Sequence, residues 1–199
     1  MWDQRYSEPG YLFGTSPNDF LREELSRIPA GGSVLCLGEG EGRNAVFLAA
    51  RGFSVTAVDQ SRVGLEKARQ LAREHGVEIE LQEADLQHYD PGQGCWDGIV
   101  SLWVHLPAPL RGQVHRKVVG GLREGGVLLL EAYTLRHLDM PGVGGPPASR
   151  RDAFMSLEAL REELAGLDFL VARERDREIS EGRGHRGLSA VVQVVARKP

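Results

Sequence analysis

The chain's 199 residues are enough for one well-filled α/β domain and too few for two domains that each bury their own core. Hydrophobic residues make up 41% of the sequence and charged residues 26%, a composition that excludes a disordered chain. A net charge of −4 excludes the strongly basic face that nucleic-acid binding requires. We therefore expect a single domain over residues 1–199, with an N-terminal arm and helix over 1–30 and a core over 31–199, that binds no nucleic acid.

The N-terminus and the cysteines bear on the compartment and on metal binding. The opening residues, Met1 to Arg5, lack the basic segment and apolar run of a secretory signal, and no apolar stretch is long enough to cross a bilayer. Cys36 and Cys95 stand singly, without the Cys and His companions of a zinc site. We therefore expect a cytoplasmic protein that has no membrane contact and holds no metal.

The first predicted helix runs over residues 17–28. Ser16 can cap it, Pro17 occupies the first helical position, and Asp19 completes the cap. An aromatic arm with Trp2 and Tyr6 precedes this helix and could close over a ligand.

From Ser33 onward, short apolar runs alternate with amphipathic segments that end at a glycine, a pattern typical of parallel strands joined by helices. The predicted strands lie at 33–37, 54–58, 79–83, 98–104 and 127–132. The predicted helices lie at 44–51, from Ser61 to Gly76, and from Leu110 to the pair Gly125-Gly126.

The C-terminal third departs from this alternation. A stripe of leucines from Leu157 to Leu167 predicts a last helix, and two strands follow at 169–174 and 190–196. The connection between these strands is rich in glycine and lacks helical periodicity, so we expect an antiparallel hairpin. The sequence therefore predicts an α/β fold with a Rossmann-like, doubly wound, mostly parallel seven-stranded sheet and a reversed C-terminal strand.

The most informative segment is a glycine-rich loop between the first strand and the helix after it. Gly38, Gly40 and Gly42 permit a tight turn and remove side chains that would block a ligand, and the helix start behind them presents free N–H groups. Asp59 ends the next strand, where a carboxylate can accept both hydroxyl hydrogens of a ribose. The pattern therefore predicts a site for a cofactor that contains a nucleoside.

The spacing of the glycines distinguishes two classes of cofactor. A dinucleotide-binding loop reads G-x-G-x-x-G, so that the pyrophosphate rests on the helix start, whereas this loop has Arg43 at the position of the third glycine. An NAD(P)-dependent oxidoreductase is therefore a less favoured alternative. A non-catalytic nucleotide-binding module is another, and His105, Tyr133 and Arg186 argue only mildly against it.

Several motifs resemble those of class I S-adenosylmethionine-dependent methyltransferases. They are the run from Gly38 to Asn44, Asp59, the pair Ala84-Asp85, the segment Trp96 to Val100, and Gly125-Gly126. The G-x-G-R-N run, the opening Trp2 to Tyr6 and the closing Val195 to Lys198 are similar to the tellurite-resistance and thiopurine-type methyltransferases. The resemblance, which covers nearly the whole chain, implies S-adenosylmethionine as cofactor and a small-molecule acceptor.

The resemblance also implies which residues bind the cofactor. Asp59 would hold the ribose, Asp85 would accept a hydrogen bond from the adenine amino group, and Leu86 would offer its backbone to the ring. Family members usually carry an acidic residue two positions before the first glycine, where this chain has Cys36, so Glu39 is expected to substitute. The predicted cofactor-binding residues are Gly38, Glu39, Gly40, Gly42, Asn44, Asp59, Gln60, Ala84, Asp85, Leu86 and Ser101.

Candidates for the acceptor side lie at the carboxyl ends of the strands, where ligands of open α/β sheets bind. His105 could accept a proton or simply donate to a carbonyl. In the tellurite-resistance relatives the final hairpin contributes cationic groups, which here implies His185 and Arg186. The predicted catalytic residues are therefore His105, His185 and Arg186, and the expected acceptor is a small, anionic thiol or chalcogen compound.

Two further expectations concern the surroundings of this site. The loop at 141–148 is rich in proline and glycine and is a plausible lid over the acceptor. The remaining histidines are expected at the surface; they are His75, His88, His115 and His137.

Overall fold

The computed structural model describes residues 1–199, and its strands form one seven-stranded sheet. The strands are β1 (Ser33–Leu37), β2 (Ser54–Asp59), β3 (Glu80–Glu83), β4 (Trp96–Leu102), β5 (Leu122–Tyr133), β6 (Asp168–Glu181) and β7 (His185–Arg197). Their order is β3-β2-β1-β4-β5-β7-β6, and β7 runs antiparallel to both of its neighbours while the other pairs are parallel. The predicted Rossmann-like fold with a reversed C-terminal strand is confirmed.

Six α-helices accompany the sheet. They are α1 (Trp2–Tyr6), α2 (Asp19–Glu24), α3 (Arg43–Ala49), α4 (Arg62–Glu74), α5 (Ala108–Gly121) and α6 (Leu157–Glu163). Short 3₁₀ turns lie at Leu25–Arg27, Leu135–Asp139 and Arg151–Ala153. None of the helices combines the length and the apolar character that crossing a membrane demands.

The core consists of two apolar layers, one on each face of the sheet. Successive side chains of a strand point to opposite faces, so β1 sends Leu35 into one layer and Cys36 into the other. Side chains of α5 and α6 complete the first layer, and side chains of α2 and α3 complete the second. This packing fixes the carboxyl ends of β1, β2, β4 and β5 along one edge of the sheet.

The caps of two helices test the sequence predictions directly. Ser61 caps α4 as expected, because its hydroxyl accepts the Gly64 N–H at 3.1 Å. Ser16 was expected to cap the helix predicted at 17–28, but Asn18 caps α2 there and accepts the Leu21 N–H at 3.0 Å. Asn18 is fully buried and its side-chain amide also donates to Glu131 and Glu181, so contacts with distant strands select this residue as the cap.

The largest differences from the predicted boundaries lie at the junction of α5 with β5 and in the final hairpin. Helix α5 ends at Gly121 instead of Gly125-Gly126, because Leu122 already pairs with Trp96 as part of β5. The final hairpin is longer than expected, since β6 and β7 remain paired out to Glu181 and His185. Mostly polar residues end β6 and begin β7, and they made the paired segment resemble a loop in the sequence.

Candidate active site

The glycine loop lies between β1 and α3 and packs tightly against two other elements. Gly40 and Gly42 have φ values of 64° and 91°, the left-handed region that glycine adopts without steric cost. A Cβ on Gly42 would stand 2.7 Å from the Ala68 backbone in α4, and one on Gly40 would stand 2.5 Å from the Tyr6 hydroxyl. Larger residues are therefore excluded at both positions.

Glu39 holds the loop against the start of α3. Its Oε1 accepts the N–H groups of Asn44 and Ala45, each at 2.8 Å. Burial raises the pKa of Glu39 to about 7. The Cys36 thiol lies near the same carboxyl group. Glu39 therefore places a carboxyl group close to the position at which the methyltransferases that this chain resembles usually have an acidic residue.

Asp59 ends β2 beside the glycine loop, as predicted. One carboxylate oxygen accepts the Gly40 N–H and the other accepts the Ser61 N–H, both at 2.8 Å. The side chain is buried, and this burial raises its pKa. Each oxygen of a carboxylate can accept two hydrogen bonds, so Asp59 retains acceptor capacity for two hydroxyl groups.

The other predicted cofactor-binding residues surround the glycine loop and Asp59 and differ in how deeply they are buried. Ser101 is buried on β4 and pairs with Leu37 directly before the loop, while the Ala84 N–H donates to the Asp59 carbonyl at 3.0 Å. Asp85 and Gln60 are exposed, and Leu86 packs at the edge of the core. The structure thus gathers the predicted set at one end of the sheet, and the roles of its members in binding remain predictions.

A stack of rings adjoins the loop at the carboxyl ends of β4 and β5. Trp103 follows β4 and is the only residue other than glycine with a positive φ, 61°. Its ring lies 4.6 Å from the ring of Tyr133 and 4.9 Å from that of His185, and Phe13 from the N-terminal arm stacks on His185 at 4.4 Å. Four segments that are distant in sequence therefore build one aromatic surface.

The two predicted catalytic histidines are uncharged in this surface. His105 Nδ1 lies 3.1 Å from the Ala153 carbonyl and must donate to it, which leaves a lone pair on a buried Nε2 without a partner. Burial lowers the pKa of His105 to about 4. His185 shares a 2.7 Å hydrogen bond with the Tyr133 hydroxyl, and burial together with the charge of Arg43 lowers its pKa well below the usual value.

Two histidines that were expected at the surface are buried. His137 is 4% exposed and its ring lies 4.1 Å from that of Tyr133, so it joins the aromatic surface. His115 is also 4% exposed and pairs with Glu163 at 2.7 Å, on a helix away from the rings. A signal for His137 was present in the sequence, since it follows the end of the fifth strand by only four residues.

Arg186 lies outside the cluster that contains His185, contrary to expectation. The two residues are neighbours on β7, so their side chains point to opposite faces, and that of Arg186 is exposed and makes no hydrogen bond or ion pair. The cations near the rings are instead the buried Arg43 and the largely buried Arg177, which are paired with carboxylates, and Arg5, which lies 6.0 Å from the Phe13 ring. Of these three, only Arg5 has no carboxylate partner, and it stacks on the ring of Trp2 at 4.6 Å.

Two segments cover this end of the sheet. Helix α1 rests on α4, where the Asp3 carboxylate accepts the Ser61 hydroxyl at 2.5 Å and Tyr6 is buried against Gly40. On the other side, Val143 exchanges backbone hydrogen bonds of 2.7 and 3.0 Å with Arg186, which lays the glycines at 144 and 145 on Tyr133. The N-terminal arm and the 141–148 loop thus lie over the predicted site from opposite sides.

Comparisons with known proteins agree with this geometry. Residues 34–126 match the family model described as a methyltransferase domain. The chain is 33% identical over 126 residues to methyltransferase GfsG of Streptomyces halstedii, covering 62% of this chain and 45% of GfsG. It is 30% identical over 149 residues to thiopurine S-methyltransferase of Bordetella parapertussis, covering 63% of this chain and 64% of that enzyme. The chain thus spans less than two thirds of the length of either relative.

The fold has close counterparts among solved structures. TehB from Haemophilus influenzae superimposes with a TM-score of 0.73 at 22% identity, covering 100% of this chain and 66% of TehB. The family match, the sequence relatives and the sheet with its reversed β7 all point the same way. Residues 34–126 therefore match a methyltransferase domain, and the chain as a whole resembles the class I S-adenosylmethionine-dependent methyltransferases in sequence and fold.

Proposed function

We propose that this protein transfers the methyl group of S-adenosylmethionine to the sulfur or chalcogen atom of a small acceptor that binds against the rings of Trp103, Tyr133 and His185. The observation that carries the proposal is the position of this aromatic surface, which adjoins the glycine loop at the same end of the sheet. The name of the Bordetella relative, a thiopurine S-methyltransferase, agrees with a sulfur acceptor.

The residues of the loop fit the proposed cofactor. Three glycines alternate with two glutamates in the turn, and the glutamate side chains are engaged by backbone N–H groups and Lys67. Asp59 is held beside Gly40 with acceptor capacity for the two ribose hydroxyls. Glu39 presents a second carboxyl group, which we assign to the ammonium group of the methionine part. The cofactor supplies a methyl group on a positively charged sulfur, and the protein has to align the acceptor and exclude water.

The character of the rings favours a soft acceptor without a formal charge. Sulfur is polarisable and makes favourable contacts with aromatic rings. An anionic acceptor would need a cation that is not already engaged. Arg43 and Arg177 are bound to Glu181 and Glu131, and Arg5 is stacked on the ring of Trp2. The anionic acceptor that the sequence suggested is therefore less well supported than a neutral thiol or its chalcogen analogue.

Methylation of a neutral thiol would also give the uncharged His105 a role in the reaction. When the acceptor sulfur attacks, the bond from the methyl carbon to the cofactor sulfur breaks and its electrons remain on that sulfur. A thiol methylated in this way is a protonated thioether, which is acidic enough to release its proton to an imidazole whose pKa is about 4. We assign this role to the free Nε2 of His105, and a stacking role to His185.

Cofactor binding and acceptor choice can be tested separately. Calorimetry on the purified protein is expected to give a one-to-one complex with S-adenosylmethionine or S-adenosylhomocysteine and no heat with NAD. Heat with NAD alone would overturn the methyltransferase proposal.

Transfer of a tritiated methyl group would then compare each thiol with its hydroxyl analogue: 6-mercaptopurine with hypoxanthine, and thiophenol with phenol. Tellurite and selenite serve as anionic chalcogen acceptors. We expect each thiol to react about tenfold or more faster than its partner. Preferential methylation of the hydroxyl analogues would contradict the sulfur acceptor and leave the cofactor assignment intact.

A further inference from the structure

Glu181 joins the two halves of the candidate active site. It lies at the end of β6, its side chain is 3% exposed, and its two oxygens receive four hydrogen bonds. Oε1 accepts from Asn18 at 3.0 Å and from Arg177 at 3.1 Å. Oε2 accepts from Arg43 at 2.6 Å and from the Trp103 indole N–H at 2.7 Å.

The two donors to Oε2 come from opposite sides of the site. Arg43 is the first residue of α3 and directly follows Gly42, so it moves with the loop assigned to the cofactor. Trp103 is part of the ring surface assigned to the acceptor. One buried carboxylate oxygen thus links the cofactor loop to the acceptor surface.

The backbone conformation of Trp103 makes its position dependent on the hydrogen bond to Glu181. A bulky residue with positive φ is strained, and it persists only where its surroundings hold it. The restraints on Trp103 are the Glu181 hydrogen bond, a backbone hydrogen bond of 2.9 Å to the Glu131 carbonyl, and stacking on Tyr133. Loss of the Glu181 bond would therefore let the indole ring leave its position beside Tyr133 and His185.

We propose that Glu181 is a positioning residue that couples the cofactor loop to the acceptor surface through Arg43 and Trp103. The inference rests on the proposed function, which assigns the glycine loop to the cofactor and the ring surface to the acceptor. Cofactor binding moves the glycine loop, Arg43 transmits this displacement to the shared Oε2, and the Trp103 indole is set in the orientation that the acceptor requires. Glu181 itself need touch neither substrate.

The test uses Trp103 as its own reporter. The chain has 3 tryptophans, so the double substitution Trp2→Phe and Trp96→Phe leaves Trp103 as the only one. In this background, S-adenosylhomocysteine is expected to change the tryptophan emission, and Glu181→Gln is expected to abolish the change while the calorimetric affinity stays within about threefold. Gln preserves the size of the side chain but cannot accept from all four donors.

Acceptor kinetics provide the second readout. With thiophenol as the probe, Glu181→Gln and Trp103→Phe are each expected to raise the acceptor KM about tenfold. The acceptor KM of the double variant should be no higher than that of Trp103→Phe alone, because the hydrogen bond that Glu181→Gln weakens is already absent there. Trp103→Phe removes the indole N–H and keeps an aromatic ring at this position, so it keeps the test valid if Glu181→Gln fails to fold.

Asp97→Asn is the matched control. Asp97 lies at the opposite end of β4 from Trp103 and accepts from the Ser33 N–H at 2.8 Å and from Arg123 at 2.7 Å. The Asp97→Asn variant should have a lower melting temperature, and S-adenosylhomocysteine should change its Trp103 emission as in the parent protein. An unchanged emission response in Glu181→Gln, or additive KM effects, would overturn the coupling. Failure of the wild type to bind S-adenosylhomocysteine would instead overturn the proposed function.

Discussion

At the scale of single residues, Asp59 has two tasks that one substitution can separate. It orders the loop by accepting the N–H groups of Gly40 and Ser61, and it is proposed to bind the ribose. Asp59→Ala is expected to weaken S-adenosylhomocysteine binding by about 2 kcal/mol, roughly thirtyfold in Kd, because two hydroxyl groups lose their buried partner. Isothermal titration calorimetry measures this change.

Asp90→Ala is the control for Asp59. Asp90 accepts the N–H of Gly92 at 2.9 Å, two residues further on, as Asp59 does for Ser61, but it is exposed and far along the chain from the glycine loop. Its replacement should leave the Kd within about twofold. Wild-type affinity in Asp59→Ala would show that another group binds the ribose.

The ionised form of Glu39 is expected to lower the stability of the protein and to strengthen cofactor binding. Its pKa in the folded protein is about 7, above the ordinary value of 4.5, so the protonated form is favoured on folding. This contribution to stability is complete below pH 4.5 and is lost as the pH rises through 7. Glu39→Gln resembles the protonated form, and at pH 8 it should raise the free energy of unfolding by up to about 3 kcal/mol.

The same substitution should weaken S-adenosylmethionine binding at pH 8, since the ammonium group would lose its carboxylate. Urea denaturation at pH 4.5 and pH 8 gives the stability change, and calorimetry gives the affinity. Equal stability of the variant and the wild type at pH 8 would contradict the buried, shifted carboxyl group.

The residues predicted correctly from the sequence are those whose signal is local. Glycine spacing, a strand that ends in Asp59 and the Ser61 cap each depend on a few neighbouring residues. Glu181 and Arg43 are 138 positions apart in the chain, and no sequence motif indicates that they form an ion pair. The sequence indicates only that His137 is close to the end of β5, and its burial depends on packing against Tyr133. The outward direction of Arg186 follows from strand alternation in the outer part of β7, which was expected to be a loop.

At the scale of elements, the 141–148 loop forms an extra pairing at the free edge of β7, beyond the end of β5. Gly144 has a φ of 142°, and a Cβ there would meet the Tyr133 hydroxyl and would stand 2.6 Å from His185 Nδ1. Gly144→Ala should therefore displace the loop from the rings. We expect turnover to fall about tenfold or more, because the acceptor is no longer enclosed.

Gly76→Ala provides the comparison for this loop. Gly76 also has a positive φ, 65°, but a Cβ there would contact nothing within 4 Å, so only a backbone cost of about 1 kcal/mol is expected. Steady-state kinetics with thiophenol and calorimetry with S-adenosylhomocysteine separate the two effects. A loss of cofactor affinity equal to the loss of turnover in Gly144→Ala would place the loop on the cofactor side.

Element types were predictable where the hydrophobic period was clear. The parallel strands and their helices recur with the expected order, because buried strands and amphipathic helices have different apolar spacing. The outer half of the β6–β7 hairpin has polar residues on both strands, so its hydrophobic pattern ends before its hydrogen bonding does. The end of α5 was misplaced for a related reason, since Leu122 serves as the first residue of β5 instead of the last apolar residue of the helix.

At the scale of the whole molecule, the contacts of the N-terminal arm and α4 with the glycine loop connect cofactor binding to the stability of the folded protein. Leu12 and Lys67 both bind Glu41 within the loop, so the arm, α4 and the loop are held together. A ligand that binds the folded state alone stabilises it by about 2.7 kcal/mol at one hundred times its Kd. For a protein of this size that corresponds to a rise in melting temperature of about 5 to 10 °C.

We therefore expect S-adenosylhomocysteine at this concentration to raise the melting temperature by that amount in differential scanning calorimetry, and NAD at the same concentration to leave it unchanged. The difference follows from the loop, in which Arg43 occupies the position where a pyrophosphate would need a glycine and is engaged by Glu181. Asp59→Ala should require about thirtyfold more S-adenosylhomocysteine for the same shift. A larger shift with NAD than with S-adenosylhomocysteine would return the chain to the dinucleotide-binding alternative.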